Sequence, residues 1–160
     1  MKKLLLIRHA KATHETGFKD FERPLQESGL HDAAVMASHL KEKGHVPEIL
    51  IASPALRTIS TANVFSQHLG IPHAQTNEAI YEASVFTLVK VINDAPAEHD
   101  FIALVGHNPG ISELLYYLTG QMQDVPTCAM MLIEFDKNDW ASITSDEGKL
   151  TYYDYPKKGN

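Results

Sequence analysis

Short apolar runs alternate along the chain with longer segments whose apolar residues recur at helical spacing, and this alternation predicts strands and helices in turn. Lys2 to Ile7 reads as a buried strand. The stretch Arg8 to Glu27 is polar, holds Gly17, Pro24 and several charges, and reads as a long functional loop. Ser28 is placed to cap a helix through Lys43, with Leu30, Ala33, Ala34, Ala37 and Leu40 on its apolar side and Gly44 at its end. Ile49 to Ala52 is the second strand. Ser53-Pro54 then puts a hydroxyl at a cap and a proline at the first helical position. That helix would bury Leu56, Ile59, Ala62, Val64 and Leu69 and close at Gly70. A short strand is expected over His73 to Thr76, and a helix over Val85 to Asn93 that buries Leu88, Val89 and Ile92 and stops before Pro96. Phe101 to Val105 is the third strong strand, and Asn108-Pro109 repeats the cap-and-proline start for a helix through Leu118, with Gly120 after it. Met130 to Phe135 and Leu150 to Tyr155 read as late strands, with Trp140 plugging the core from a short turn of helix between them. Strands alternating with helices imply an α/β fold of three layers, α/β/α, around a mainly parallel sheet. No repeat, low-complexity tract or linker interrupts the pattern, so one domain over residues 1–160 is expected, with Pro156 to Asn160 fraying.

Charge and composition narrow the possible functions. Fourteen Lys+Arg against twenty Asp+Glu give a formal charge of -6, which argues against the broad basic surface a nucleic-acid binder needs. Any phosphate site must therefore be local. The apolar opening Leu4-Leu5-Leu6-Ile7 stops at Arg8-His9, too soon for a signal peptide, and no stretch approaches the roughly 18 apolar residues of a membrane span. Cys128 lies beside Ala129-Met130-Met131-Leu132 and reads as an inert core thiol. A cytoplasmic protein is expected.

In open α/β sheets ligands bind beyond the carboxyl ends of the strands, so the residues after each apolar run carry the most information. Leu4 to Ile7 leads into Arg8-His9, Ile49 to Ala52 into Ser53-Pro54-Ala55-Leu56-Arg57, and Ile102 to Gly106 into His107. Taken singly, a strand-end histidine or a first-turn arginine is more often structural. Together they are not so easily dismissed, because two imidazoles and two guanidiniums converging on one edge would repel without an anion to share. Arg57 also falls in the first turn of its helix, where free amides already favour an anion.

Leu6-Ile7-Arg8-His9-Ala10, Arg23-Pro24-Leu25 with Gly29, Ser53-Pro54-Ala55-Leu56-Arg57-Thr58 and Gly106-His107-Asn108-Pro109-Gly110, in that order, resemble the histidine phosphatase superfamily. The short length and the Gly-His-Asn-Pro-Gly loop resemble its SixA branch, the protein phosphohistidine phosphatases. The resemblance implies a phosphoglycerate mutase-like fold and a phosphatase without metal or cofactor. His9 would attack phosphorus and become phosphorylated, while Arg8, Arg57 and His107 hold the nonbridging oxygens and Arg23 joins them from the loop. Many members carry Gly where this chain has Ala10, a change of one methyl group.

Arg8 and Arg57 would hold the His9 pKa down, and a bound phosphate dianion would favour protonated His107. A departing alcohol needs a proton donor. Glu78 and Glu82 are the candidates, each also readable as a solvated loop charge. A phosphohistidine nitrogen leaves with less help, and no insert is available to cap a small molecule, so phosphohistidine of a protein is the expected substrate. The alternatives are a small phosphomonoester, a phosphate-binding module without turnover, and a mutase, which needs a closed site. His14 lies on the loop near His9. His31, His39, His45, His68, His73 and His99 show no metal-ligand spacing and read as surface residues. Tyr116-Tyr117 and Tyr152-Tyr153-Asp154-Tyr155 read as core and strand aromatics.

Overall fold

The structure, a computed structural model, describes residues 1–157. The last three residues of the tail expected to fray, 158–160, lie outside the described residues. Six strands, β1 (Lys2–Arg8), β2 (Ile49–Ala52), β3 (Gln75–Thr76), β4 (Phe101–Gly106), β5 (Met130–Phe135) and β6 (Gly148–Asp154), form one sheet in the order β3-β2-β4-β1-β5-β6. β3, β2, β4 and β1 are parallel neighbours, while β5 and β6 close the sheet antiparallel. The helices are α1 (Glu27–Lys43), α2 (Leu56–Leu69), α3 (Val85–Asn93) and α4 (Gly110–Thr119). None is long and apolar enough to cross a membrane, among the described residues.

Alternation along the strands builds two cores. Leu5, Ile7, Leu50, Ala52, Ala103 and Val105 face α1 and α2, against Ala33, Met36, Leu40, Ala62 and Phe65. Leu4, Leu6, Ile49, Ile51, Ile102 and Leu104 face α3 and α4, against Leu88, Ile92, Ile111, Leu114 and Leu118. The three-layer α/β/α expectation is met, with a sheet that is mixed at one edge.

Several local expectations give way. α1 starts at Glu27 behind Gln26, not at a Ser28 cap, because the Gln26 N–H is tied to the Lys11 carbonyl at 2.9 Å and the chain turns helical from there. Leu30 is 45% exposed, since the loop beneath meets α1 at Gly29, which is buried in its place. α2 starts at Leu56, with Ala55 at the cap position and no side-chain cap. Leu56 is exposed, and the face turned inward holds Arg57, Thr58 and Thr61 beside Ala62, Phe65 and Leu69. α4 likewise starts one residue late, at Gly110, with Pro109 at the cap position and no side-chain cap, although the Asn108 side-chain oxygen before it still accepts the Ser112 N–H at 3.2 Å. Only Gln75–Thr76 of the short third strand pairs. Trp140 is buried but sits in an irregular bend, held there by its indole N–H on the His99 carbonyl at 2.7 Å and its own carbonyl on Asn93 at 2.8 Å. Tyr116 is exposed, unlike Tyr117, which packs partly against the core.

Of the stretch predicted as a loop over Arg8 to Glu27, residues 9–26 are loop, broken by a 3-10 turn at Asp20–Glu22, while Arg8 ends β1 and Glu27 begins α1. Its base is pinned by the Ala12–Leu25 bridge and by the Thr13 N–H on the Pro24 carbonyl at 2.9 Å. The excursion is therefore anchored beside the carboxyl end of β1.

Candidate active site

Adjacent parallel strands β1, β4 and β2 end on the same edge, and each hands a functional side chain to it. β1 leads into His9, β4 into His107, and β2 into Ser53 and then Arg57 in the first turn of α2. Arg8, His9, Arg57 and His107 line one cavity of about 380 Å³, joined by Arg23, His14, Lys11 and Asn108. The rings of His9 and His107 are 5.4 Å apart between centroids. Every residue singled out at the strand ends, and Arg23 with them, thus meets in one place.

His9 is 8% exposed, and its Nδ1 lies 2.8 Å from the Ala10 carbonyl. A carbonyl only accepts, so Nδ1 carries the hydrogen and Nε2 is left with a lone pair. Burial pulls the His9 pKa down to about 4, with Arg57, Arg8 and Arg23 adding to the effect and the Ala10 hydrogen bond opposing it. Desolvation, rather than the neighbouring guanidiniums alone, therefore keeps the ring neutral. The Ala10 methyl is buried in the core beneath, and its N–H donates to the Thr61 hydroxyl at 2.9 Å. The Cys128 backbone N–H braces the turn from the other side, donating to the carbonyls of Arg8 and His9 at 3.1 and 3.0 Å. Its thiol is buried and pushed up by burial, as an inert core residue should be.

The cations are held at one end and free at the other. Arg8 Nη1 donates to the Val125 carbonyl at 2.9 Å, a carbonyl that also takes Asn108 Nδ2 at 3.0 Å. Arg57 donates through Nη1 to the Asp20 carbonyl at 2.7 Å and through Nη2 to Asp20 Oδ2 at 3.1 Å. His107 Nε2 is 2.8 Å from Ser53 Oγ. Arg8 Nε, Arg57 Nε and His107 Nδ1 remain, each buried and without a partner among the described residues. An unsatisfied buried polar group costs about 1–3 kcal/mol. All three belong to residues that line one cavity rich in guanidinium groups, a cradle whose charge and spare donors suit a tetrahedral oxyanion. Burial first, then Arg57 and His9, pull the His107 pKa to about 3, so this imidazole too is neutral in the free protein.

The sequence model for the histidine phosphatase superfamily (branch 1) matches residues 4–85 of the 160. The chain belongs to this family. An uncharacterised chloroplastic protein of Arabidopsis thaliana is 27% identical over 158 residues, covering 87% of this chain and 69% of its own. SixA of Agrobacterium tumefaciens superposes with a TM-score of 0.84 at 23% identity, over 97% of this chain and 98% of that one. A protein histidine phosphatase SixA complexed with tungstate superposes at 0.83 with 21% identity, over 96% of each chain. At such identities these structures establish the fold, the phosphoglycerate mutase-like arrangement expected of a histidine phosphatase.

Sequence reasoning passed over Asp20 and Tyr81 and gave Ser53 only a capping role. Asp20 Oδ1 receives Arg23 Nε at 3.2 Å, and Oδ2 receives the Tyr81 hydroxyl at 2.6 Å as well as Arg57. The Tyr81 hydrogen bond first, then Arg57 and Arg23, hold the Asp20 carboxyl down at about 2 against the effect of burial. Tyr81 rises to about 12 in return, and its ring stands edge-on to His107 at 5.6 Å. The spacing of Asp20 and Arg23, three residues apart in a loop already marked as functional, was the available signal. Glu82, exposed and in the left-handed region at φ 53°, lines a second cavity of about 400 Å³ that shares Arg57 and His107 with the first. Glu78 lines neither, and His14 is an exposed residue on the rim of the first.

Proposed function

We propose that the chain, as a single domain, is a phosphatase that carries the phosphoryl group on His9 and acts on phosphohistidine of a protein. The observation that carries the proposal is the tethering of His9 Nδ1 to the Ala10 carbonyl, which leaves a neutral Nε2 lone pair on a residue that lines the same cavity as Arg8, Arg57 and His107. A site that only binds phosphate has no use for a nucleophile held this way.

In the first step the Nε2 lone pair forms a bond to phosphorus as the bond to the substrate nitrogen breaks, and the departing nitrogen keeps that electron pair. Arg8, Arg57, His107 and Arg23 take up the charge on the nonbridging oxygens, the main requirement of phosphoryl transfer. Water then attacks the phosphorus, inorganic phosphate leaves, and Nε2 regains its lone pair. Binding of the dianion offsets the burial of His107 and favours its protonated form. No metal enters this scheme. The substrate proposal rests on the leaving group and on the short sequence: an imidazole nitrogen departs more easily than an alkoxide, and the sequence offers no obvious insert to cap the cavity over a small molecule. One observation favours a second reading, a small phosphomonoester, namely Glu82 in the cavity next to His107, where a carboxylic acid can protonate an alcohol leaving group.

Rapid-quench of the wild type with labelled substrate should trap acid-labile, alkali-stable phosphate on His9, and His9→Ala should release no phosphate. Turnover without label on His9 excludes the covalent route. Comparing a phosphorylated histidine domain with small phosphate esters separates the two substrates, and Glu82→Gln should slow only the esters.

A further inference from the structure

Ser53 occupies the place where the sequence pattern predicts a helix cap, yet its hydroxyl serves a histidine. The residue is fully buried. Its N–H donates to the Val105 carbonyl at 3.2 Å and its own carbonyl accepts the Thr58 hydroxyl at 2.8 Å, so the backbone is pinned on both sides. Oγ receives the Ala55 N–H at 3.3 Å and lies 2.8 Å from His107 Nε2.

A hydroxyl has one proton to give and two acceptor sites. The Ala55 contact uses an acceptor site. Among the described residues the other partner of Oγ is His107 Nε2, so a satisfied Ser53 donates to it. A neutral imidazole has one N–H, and an Nε2 that accepts places that hydrogen on Nδ1. Nδ1 is the atom left buried and unpartnered on a residue that lines the cavity.

We infer that Ser53 is a positioning residue for His107, fixing it as the Nδ1–H tautomer so that it offers an oxyanion a donor instead of a lone pair. The inference rests on reading this cavity as the phosphoryl site. It also explains how two histidines 5.4 Å apart divide their roles. Both carry hydrogen on Nδ1, but they are tied back from opposite ends. His9 gives its Nδ1–H to a carbonyl and keeps a lone pair at Nε2; His107 accepts a hydrogen bond at Nε2 and keeps an N–H at Nδ1. The Ser53 hydroxyl suits a change of charge as well. When a bound phosphate draws a proton onto His107, it arrives at Nε2, and the hydroxyl turns to accept with no heavy atom moving. A backbone carbonyl in its place can only accept, and would favour the tautomer with the lone pair aimed at phosphate.

The test is ¹⁵N NMR of imidazole-labelled free protein near neutral pH, wild type and Ser53→Ala, with steady-state kinetics and inorganic phosphate inhibition on the same samples. The wild type should show His107 with a protonated Nδ1 and a bare Nε2. In Ser53→Ala the population should move toward Nε2–H, with kcat/KM falling and the inhibition constant for phosphate rising, each about tenfold or more. Nε2–H in the wild type overturns the inference with no variant needed. So does a Ser53→Ala protein whose tautomer is unchanged, whatever its rate, or whose tautomer shifts without a loss of rate. Failure of the phosphatase reading itself looks different: the wild type then turns over no phosphate substrate or leaves His9 unlabelled.

Discussion

His9 is suited to nucleophilic attack by two local facts, a carbonyl that fixes its tautomer and burial that keeps it uncharged. The consequence is a pH dependence with a definite sign. A pKa lowered to about 4 means that the lone pair is present above that value and lost as pH falls through it. Because kcat/KM reports groups of the free enzyme, it should stay flat from neutral pH down to about 5 and decline below, where an ordinary histidine, near 6.5, would already have cost most of the rate. A half-maximal point near 6.5 in the pH profile of kcat/KM would show that the ring is solvated in solution. The place of this residue at the strand-end cavity was legible in the sequence because Arg8-His9 follows an apolar run. Its tautomer was not, since that depends on one backbone carbonyl turning back on its own neighbour.

Elements set the reach of the cations. The 3-10 turn Asp20–Glu22 brings one carboxylate against Arg57, Arg23 and Tyr81, so Asp20 braces the guanidinium of Arg57 while Arg57 Nε stays free. Asp20→Ala should therefore lower kcat by about tenfold through misplaced Arg57, while the inhibition constant for inorganic phosphate stays level or tightens, because a competing anion is gone. Wild-type kcat in that variant would remove the brace from the mechanism. Gly29 of α1 is decided by two opposing magnitudes. Gly→Ala inside a helix ordinarily adds about 1 kcal/mol. Here the added Cβ would stand 2.3 Å from the Lys11 backbone oxygen, in the loop two residues past His9, and overpacking against backbone costs about 1–3 kcal/mol. Gly29→Ala should lower both Tm and kcat; a raised Tm would mean that the loop yields freely. Helix existence was readable from periodicity, but faces and starts were not. Periodicity assigns Leu30 and Leu56 to the core, whereas the loop and the site take those faces, burying Gly29 in one and Arg57, Thr58 and Thr61 in the other. Long-range partners decide such cases: Ser53 looked like a cap because its bond to His107 spans 54 residues.

At the scale of the whole molecule, the order β3-β2-β4-β1-β5-β6 brings the ends of β2, β4 and β1 side by side, and the folding energy must hold two buried neutral imidazoles there. The architecture followed from the sequence because each central strand is an unbroken apolar run, as burial on both faces requires, and the site followed because strand ends in such a sheet share an edge. Pairing order carried no such local signal. Stability should therefore couple to pH through the site. His9 and His107 have folded pKa values of about 4 and 3 against 6.5 unfolded, so between those limits the unfolded chain binds protons that the folded one refuses. Stability is complete above about 6.5 and falls as pH drops through that window. Asp20 works in a lower window, since its carboxyl is depressed to about 2 from 3.8 and its contribution is lost only below the latter. Inorganic phosphate should act against the histidine loss in two ways. At 100 times its Kd it adds about 2.7 kcal/mol to the folded state. Its negative charge also raises the pKa of His107, which narrows the range over which protons favour unfolding. Thermal melts from about pH 7 to 4, with and without phosphate, should then show a Tm that falls with acid and a phosphate gain that grows as pH drops toward 5. In Arg57→Ala the gain should shrink at every pH. A Tm that stays level down to pH about 4.5, with phosphate making no difference, would mean that neither imidazole is held neutral by burial, and would leave the cradle of unpartnered donors without an anion to explain it.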